Sequence, residues 1–161
     1  MKIIRQVSLY DRRISDKYYV TDSGTFYVVV KNRKVMKDAE RKVVTKHHIK
    51  EAIAIGKEWF VPFTEWGMYC IILSNGLVLR RLKTYIRPDC ASVIIHMQNV
   101  EGKDMALYAA RVVANTFIDD VKGMEVHHKD SDRTNNSVEN LEVLSFEDHR
   151  GKGQHAIRHQ L

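Results

Sequence analysis

Apolar and polar positions alternate through Tyr18, Val20, Phe26, Val28 and Val30, with Ser23 and Gly24 between the halves, which predicts a β-hairpin over 17–30. Further on the period changes. Ile49, Ala52, Ile53 and Gly56 fall at helical spacing behind Thr45, a good N-cap, so a short helix is expected over 46–56, closing at Gly56. Residues 58–67, with Trp59, Pro62 and Trp66, read as a connector, and a soft domain boundary is drawn there. Residues 68–82 place S-N-G between YCIIL and LVLRRL, the strongest hairpin signal in the chain. A strand is expected over 91–97. A helix is expected over 103–117, presenting Met105, Leu107, Tyr108, Val112, Val113 and Phe117.

The last third repeats the strand, loop, strand pattern with different chemistry. Residues 124–129 can run as a strand, 130–137 are polar with Asn135 and Asn136 adjacent and suit a loop, and 141–144 can return as a second strand. Ser145 with Asp148 three residues on approximates a capping box, so a helix should start there with His149 in its first turn. Four polar side chains stand out in this segment. His127 and His128 are adjacent, Asn140 follows thirteen positions after His127, and His149 lies nine positions after Asn140. Strict alternation would send His127 and His128 to opposite faces, so a bulge or a strand end is expected between them.

Hydrolysis of a phosphodiester needs a base to activate water and a cation to neutralise charge growing on the phosphate, both rigidly placed. Imidazole suits both tasks, because its unperturbed pKa of about 6.5 makes it a base near neutral pH and its neutral form ligates first-row divalent metals. An asparagine amide both donates and accepts, and can pin a hairpin so that a neighbouring ring keeps its orientation. The remaining histidines look ordinary. His47 and His48 read as a solvated pair, His96 lies in a β-like run, and His155 and His159 lie in a polar tail.

By the segment VHHKDSDRTNNSVENLEVLSFEDHR the chain resembles the HNH endonucleases, and more narrowly the phage and homing-type members. A looser likeness extends over 59–119, where a tryptophan segment leads into S-N-G. The resemblance implies a ββα-metal (His-Me) nuclease unit, with His127 as first metal ligand, His128 as general base, Asn140 as the structural hydrogen bonder and His149 as second ligand. It also implies one divalent ion, magnesium or manganese in first place and zinc or nickel as alternatives, and products with 5′-phosphate and 3′-hydroxyl ends. The expected fold is α+β: the ββα-metal unit preceded by small hairpin and helix elements. The expected domains are a basic N-terminal module over 1–58 and an HNH nuclease domain over 59–161, with the ββα core about 120–152.

Charge sharpens the expected division of labour. Residues 1–60 hold 14 Lys or Arg against 7 Asp or Glu, residues 61–121 are balanced at 6 against 6, and 122–161 hold 6 against 7. The net charge of +6 therefore resides in the N-terminal third, away from the histidine segment. Neutralising phosphates releases counterions, so this third is the expected DNA grip, with Arg12, Arg13, Lys31, Arg33, Lys34, Lys37, Arg41 and Lys42 as the contact pool. Two cysteines without a C-x-x-C pair give no disulfide framework or zinc knuckle. With 44% hydrophobic residues a core can form, yet no apolar run approaches the ~20 residues of a membrane span, and MKIIRQVSLYDRR lacks a signal-peptide core. A cytoplasmic DNA endonuclease is the leading expectation, its oligomeric state open, with a homodimer as one arrangement. The alternatives are a catalytically silent DNA-binding or packaging accessory that keeps the fold, and a regulatory protein acting through a replication or host protein partner.

Overall fold

The computed structural model describes residues 2–9, 13–30, 53–56, 58–61, 70–73, 75 and 77–146. The chain divides into two compact units, Met1–Gln6 with Lys17–Lys83 and Val7–Asp16 with Thr84–Leu161.

The first unit is a seven-stranded antiparallel sheet. Its strands are β1 (Lys2–Gln6), β2 (Tyr18–Thr21), β3 (Phe26–Val29), β4 (Ile53–Ile55), β5 (Glu58–Val61), β6 (Cys70–Ile72) and β7 (Val78–Arg81), in the order β4-β5-β1-β2-β3-β7-β6. The pairs Ile4↔Trp59, Tyr19↔Tyr27, Val29↔Leu79 and Ile71↔Leu79 place these side chains on one face. There Ile4, Tyr27, Ile71, Leu73 and Leu79 form the core cluster, with Tyr19, Val29, Trp59 and Leu77 packed against it. The other face also buries apolar groups, namely Tyr18, Val20, Phe26 and Val78. That explains apolar runs such as FYVV, since a strand covered on both faces has no polar side to alternate with.

Both expected hairpins of this unit are present, β2-β3 about Gly24 and β6-β7 about the S-N-G segment. Gly24 takes φ 85, and Thr21 secures the turn by accepting the Thr25 amide on Oγ1 at 3.0 Å. Two expectations are corrected. Ile53–Ile55 is strand β4 rather than the end of a helix, because Gly56 turns the chain at φ 61 into β5, with Ile53 opposite Phe60 and Ala54 opposite Trp59. The start of the expected connector is β5 itself, which lies between β4 and β1 in the sheet. Residues 46–52 and 62–67 of those two segments lie outside the described residues.

The second unit contains β8 (Tyr85–Ile86), β9 (Val93–Gln98) and β10 (Asp104–Tyr108), a three-stranded antiparallel sheet in the order β10-β9-β8. Helix α1 (Ala109–Phe117) continues directly from β10, and β11 (Glu125–His128) and β12 (Leu141–Leu144) form a separate antiparallel pair. The expected helix over 103–117 thus begins six residues late. Its first part is a strand because Met105 and Leu107 pair with Met97 and Ile95, and residues two apart share a face in a strand but not in a helix. Tyr108 is still extended, with φ −71 and ψ 120. From Ala109 on, Ala109, Ala110, Val112, Val113 and Ala114 are buried, and α1 packs against β9 and β10 and against both strands of the β11-β12 pair.

The described residues of the segment 7–16 strap this unit. Ile14 bridges Asn99, the Val100 amide donates to the Arg13 carbonyl at 2.7 Å, and Asn115 Nδ2 donates to the Ser8 carbonyl at 2.7 Å. The described fold is therefore mixed and strand-rich with a single α-helix. The two strands of the expected ββα unit are in place. Phe146 is already helical just past Ser145, and residues 147–161 lie outside the described residues. Among the described residues no helix is long and apolar enough to cross a membrane.

Candidate functional site

Strand β11 reaches its position through α1. Arg111 donates from Nη2 to the Val121 carbonyl at 2.8 Å and from Nη1 to the Met124 carbonyl at 3.1 Å, while Asn115 Oδ1 accepts the Val121 amide at 3.1 Å. Three bonds from one helix face thus hold the segment entering β11. Val121 is fully buried at the middle of this clamp.

The β11-β12 register runs Glu125↔Leu144, Val126↔Val143, His127↔Glu142 and His128↔Leu141 without a bulge. Of the two outcomes expected for the histidine pair, the strand end is the one that forms. His127 and His128 are nevertheless both buried, at 8% and 3% exposure. Adjacent strand residues point to opposite faces, so both sides of the strand end are covered. The loop that follows supplies part of that cover, because His128 Nε2 bonds Asn136 Oδ1 at 2.8 Å, and Asn136 is itself 6% exposed.

Asn140 organises this loop. Its amide donates to Asp130 Oδ1 at 2.9 Å and to the Asn135 carbonyl at 2.8 Å, and its Oδ1 accepts the Asp130 amide at 3.1 Å. The Lys129 amide also donates to the Asn140 carbonyl at 2.9 Å. Asn140 therefore holds both ends of the stretch 130–135, and the residue after that stretch is the one bonded to His128. Asp130 further accepts the Asp132 amide at 2.8 Å and Asn135 Nδ2 at 2.9 Å, while Asp132 Oδ1 accepts the Thr134 hydroxyl at 2.7 Å and amide at 2.9 Å. Hydrogen bonds to a carboxylate favour its charged form. The Asn135 amide, then the Asp132 amide and Asn140, hold the Asp130 carboxyl below its ordinary value, and the Thr134 hydroxyl and amide do the same for Asp132.

Ser131 adopts φ 64, a left-handed conformation unusual for a side chain of its type, and its amide donates to the His128 carbonyl at 3.0 Å. The tight turn so formed brings the loop back over the strand end. Arg133 bonds the Cys90 carbonyl, tying the loop to the turn after β8, where Ala91 is likewise left-handed at φ 56.

Of the four residues singled out in the sequence, the structure brings together His127, His128 and Asn140. His149 lies outside the described residues, as do Arg12, Lys31, Arg33, Lys34, Lys37, Arg41 and Lys42. Arg13 is described and exposed, and its backbone carbonyl secures the strap. Among the described residues no three His, Cys, Asp or Glu side chains converge on a metal-sized site. Asp130 and Asp132 are turned to amides and a hydroxyl of their own loop, and at the strand end the two adjacent imidazoles stand with Glu142 opposite His127. His96 lies on β9, exposed and bonded to the Tyr85 hydroxyl, and plays no part in the site. The sequence does not single out Asn136 or Arg111, which the structure places at the site and at its support. Asn135 and Asn136 were legible only as turn formers; the one available signal was that a turn needs one asparagine and the segment has two.

Residues 111–150 match the family model described as HNH endonuclease. The chain also aligns with a solved structure described as DNA binding and cleavage by the HNH homing endonuclease I-HmuI, with a TM-score of 0.49 and 18% sequence identity, over 86% of this chain and 52% of that one. The chain thus spans about half the length of that structure. No curated protein sequence matches it.

Proposed function

From a chain whose residues 111–150 belong to the HNH endonuclease family, we propose a metal-dependent DNA endonuclease that hydrolyses phosphodiester bonds, of the phage-encoded homing or nicking type. The observation that carries this reading is the strand end itself. A buried histidine, His128, is held by an amide side chain beside a second histidine, inside a loop whose carboxylates are already engaged.

In the proposed reaction His128 accepts a proton from a water molecule lying in line with the scissile P–O3′ bond. The water oxygen bonds to phosphorus, the P–O3′ bond breaks, and the departing 3′ oxygen is protonated by solvent. One strand is left with a 5′ phosphate and a 3′ hydroxyl. Asn140 keeps the loop closed over the base, so its role is orientation rather than proton transfer. His127 and His149 are the residues that would hold one divalent ion, magnesium or manganese in first place, which supplies charge neutralisation at the phosphate and the leaving oxygen. Burial of His127 at the strand end suits a ligand that must not wander. The basic N-terminal third is the proposed grip on the DNA backbone.

The test is relaxation of supercoiled plasmid. Conversion to open circles with magnesium, manganese or zinc, stopped by EDTA, is expected from one site cutting one strand. Plasmid and source genomic DNA that both stay intact with every metal, while the protein still binds them, would leave a DNA-binding protein instead.

A further inference from the structure

We propose that Asn136 is a positioning residue that fixes the tautomer of His128, placing the ring proton on Nε2 and making Nδ1 the nitrogen that receives the proton from water. The proposal rests on the reading of His128 as the base, and deepens it. Asn136 Oδ1 is a carbonyl oxygen and only accepts, so the 2.8 Å contact requires Nε2 to carry hydrogen. A neutral imidazole has one N–H and one lone pair, which leaves the lone pair on Nδ1. No other hydrogen bond to the His128 ring is formed among the described residues. Both partners are buried, at 3% and 6% exposure, where water competes poorly for the bond.

The amide is also suited to the second half of the proton transfer. Once Nδ1 is protonated the ring is a cation, and its Nε2–H still donates to the same oxygen in a stronger, charge-assisted bond. An amide does not take that proton away, so the positive charge stays on the ring while the P–O3′ bond breaks. The chain of support is continuous. Asn140 Nδ2 holds the Asn135 carbonyl at 2.8 Å, that peptide leads into Asn136, and Asn136 holds the ring. A general filler of the same volume could close the loop but could not choose between the two ring nitrogens.

Imidazole ¹⁵N chemical shifts of His128 test the assignment directly in the unaltered protein, at a pH of about 8.5 where an ordinary imidazole is neutral. The expected spectrum shows a protonated Nε2 and a bare Nδ1; a protonated Nδ1 overturns the proposal without any variant being made. Asn136→Leu removes the acceptor, and is expected to mix the tautomers and slow single-turnover nicking by on the order of tenfold or more. Asn136→Asp keeps an acceptor at that place and should retain the Nε2–H form and most of the rate. Unchanged shifts and rate in Asn136→Leu would overturn the proposal, and so would equal loss in both variants. His128→Ala in the same assay separates the two readings. Nicking that survives it refutes His128 as base, whereas nicking that it abolishes, together with an Asn136→Leu protein of unchanged tautomer, refutes the role of Asn136 alone.

Discussion

Replacing Asn140 by alanine should loosen the loop over His128 far more than it alters charge. The side chain is 8% exposed and makes three bonds, of which two are to backbone groups: it accepts the Asp130 amide at 3.1 Å and donates to the Asn135 carbonyl at 2.8 Å. A net loss of about 1 kcal/mol for each backbone bond gives about 2 kcal/mol, leaving aside the bond to the exposed Asp130 carboxylate. For a chain of 161 residues this corresponds to a fall in Tm of about 4–8 °C. Thermal unfolding followed by circular dichroism measures the fall, and amide hydrogen exchange localises it, since the Asp130 amide should lose its protection. Nicking should weaken while DNA affinity stays. A Tm within about 1 °C of the parent, with Asp130 still protected, would refute the view that this amide holds the loop.

Arg111→Met removes two charge-assisted bonds to the Val121 and Met124 carbonyls while keeping an unbranched stem, so chemical denaturation should show a loss of about 2–4 kcal/mol; a loss below about 0.5 kcal/mol would show that the clamp before β11 is unimportant. Tyr27, in the core of the seven-stranded sheet, has its phenol pushed up to about 12, chiefly by burial and partly offset by the Arg81 charge. Its folded value lies above the unfolded value of 10, so its contribution is complete below pH 10 and disappears as pH rises to about 12, an effect of about 3 kcal/mol that Tyr27→Phe should abolish in alkaline denaturation curves. Asp130 and Asp132 have the opposite sign. Their folded values lie below 3.8, so the stability they lend is full at neutral pH and is lost as pH falls below 3.8 through those values, to be seen as loop amides around 130–136 losing protection in acid.

The hairpin that carries the site is legible because residues 124–129 and the L-E-V-L segment flank eight polar residues, 130–137, and polarity of that length cannot be buried in a sheet. The same logic found β2-β3 and β6-β7. It failed where two periods coincide. Met105, Tyr108 and Val112 fit a helical period while Met105 and Leu107 share one face of a strand, and the pairing with Met97 and Ile95, eight and twelve positions away, decides for the strand. Ile49, Ala52 and Ile53 fall at helical spacing and predict a helix, yet Ile53 pairs with Phe60 in β4, and Gly56, expected to end that helix, instead turns the chain between two strands. Within the site, His127, His128 and Asn140 announce themselves by residue type and spacing. Asn136 does not, because a buried amide bonded to a ring eight positions earlier looks like any turn asparagine until the loop has closed. Arg111 is hidden likewise, since a helix arginine is ordinarily solvated and here reaches two carbonyls ten and thirteen residues ahead.

The central claim, that His128 is the base in phosphodiester hydrolysis, is tested most directly by measuring cleavage and DNA affinity of the parent protein and of His128→Ala on one DNA substrate, each with magnesium, manganese or zinc. Cleavage should fall at least a hundredfold, as expected for removal of a general base, with affinity unchanged. A variant that keeps more than about a tenth of the parent rate would contradict the assignment, because removing a positioned base costs at least two orders of magnitude.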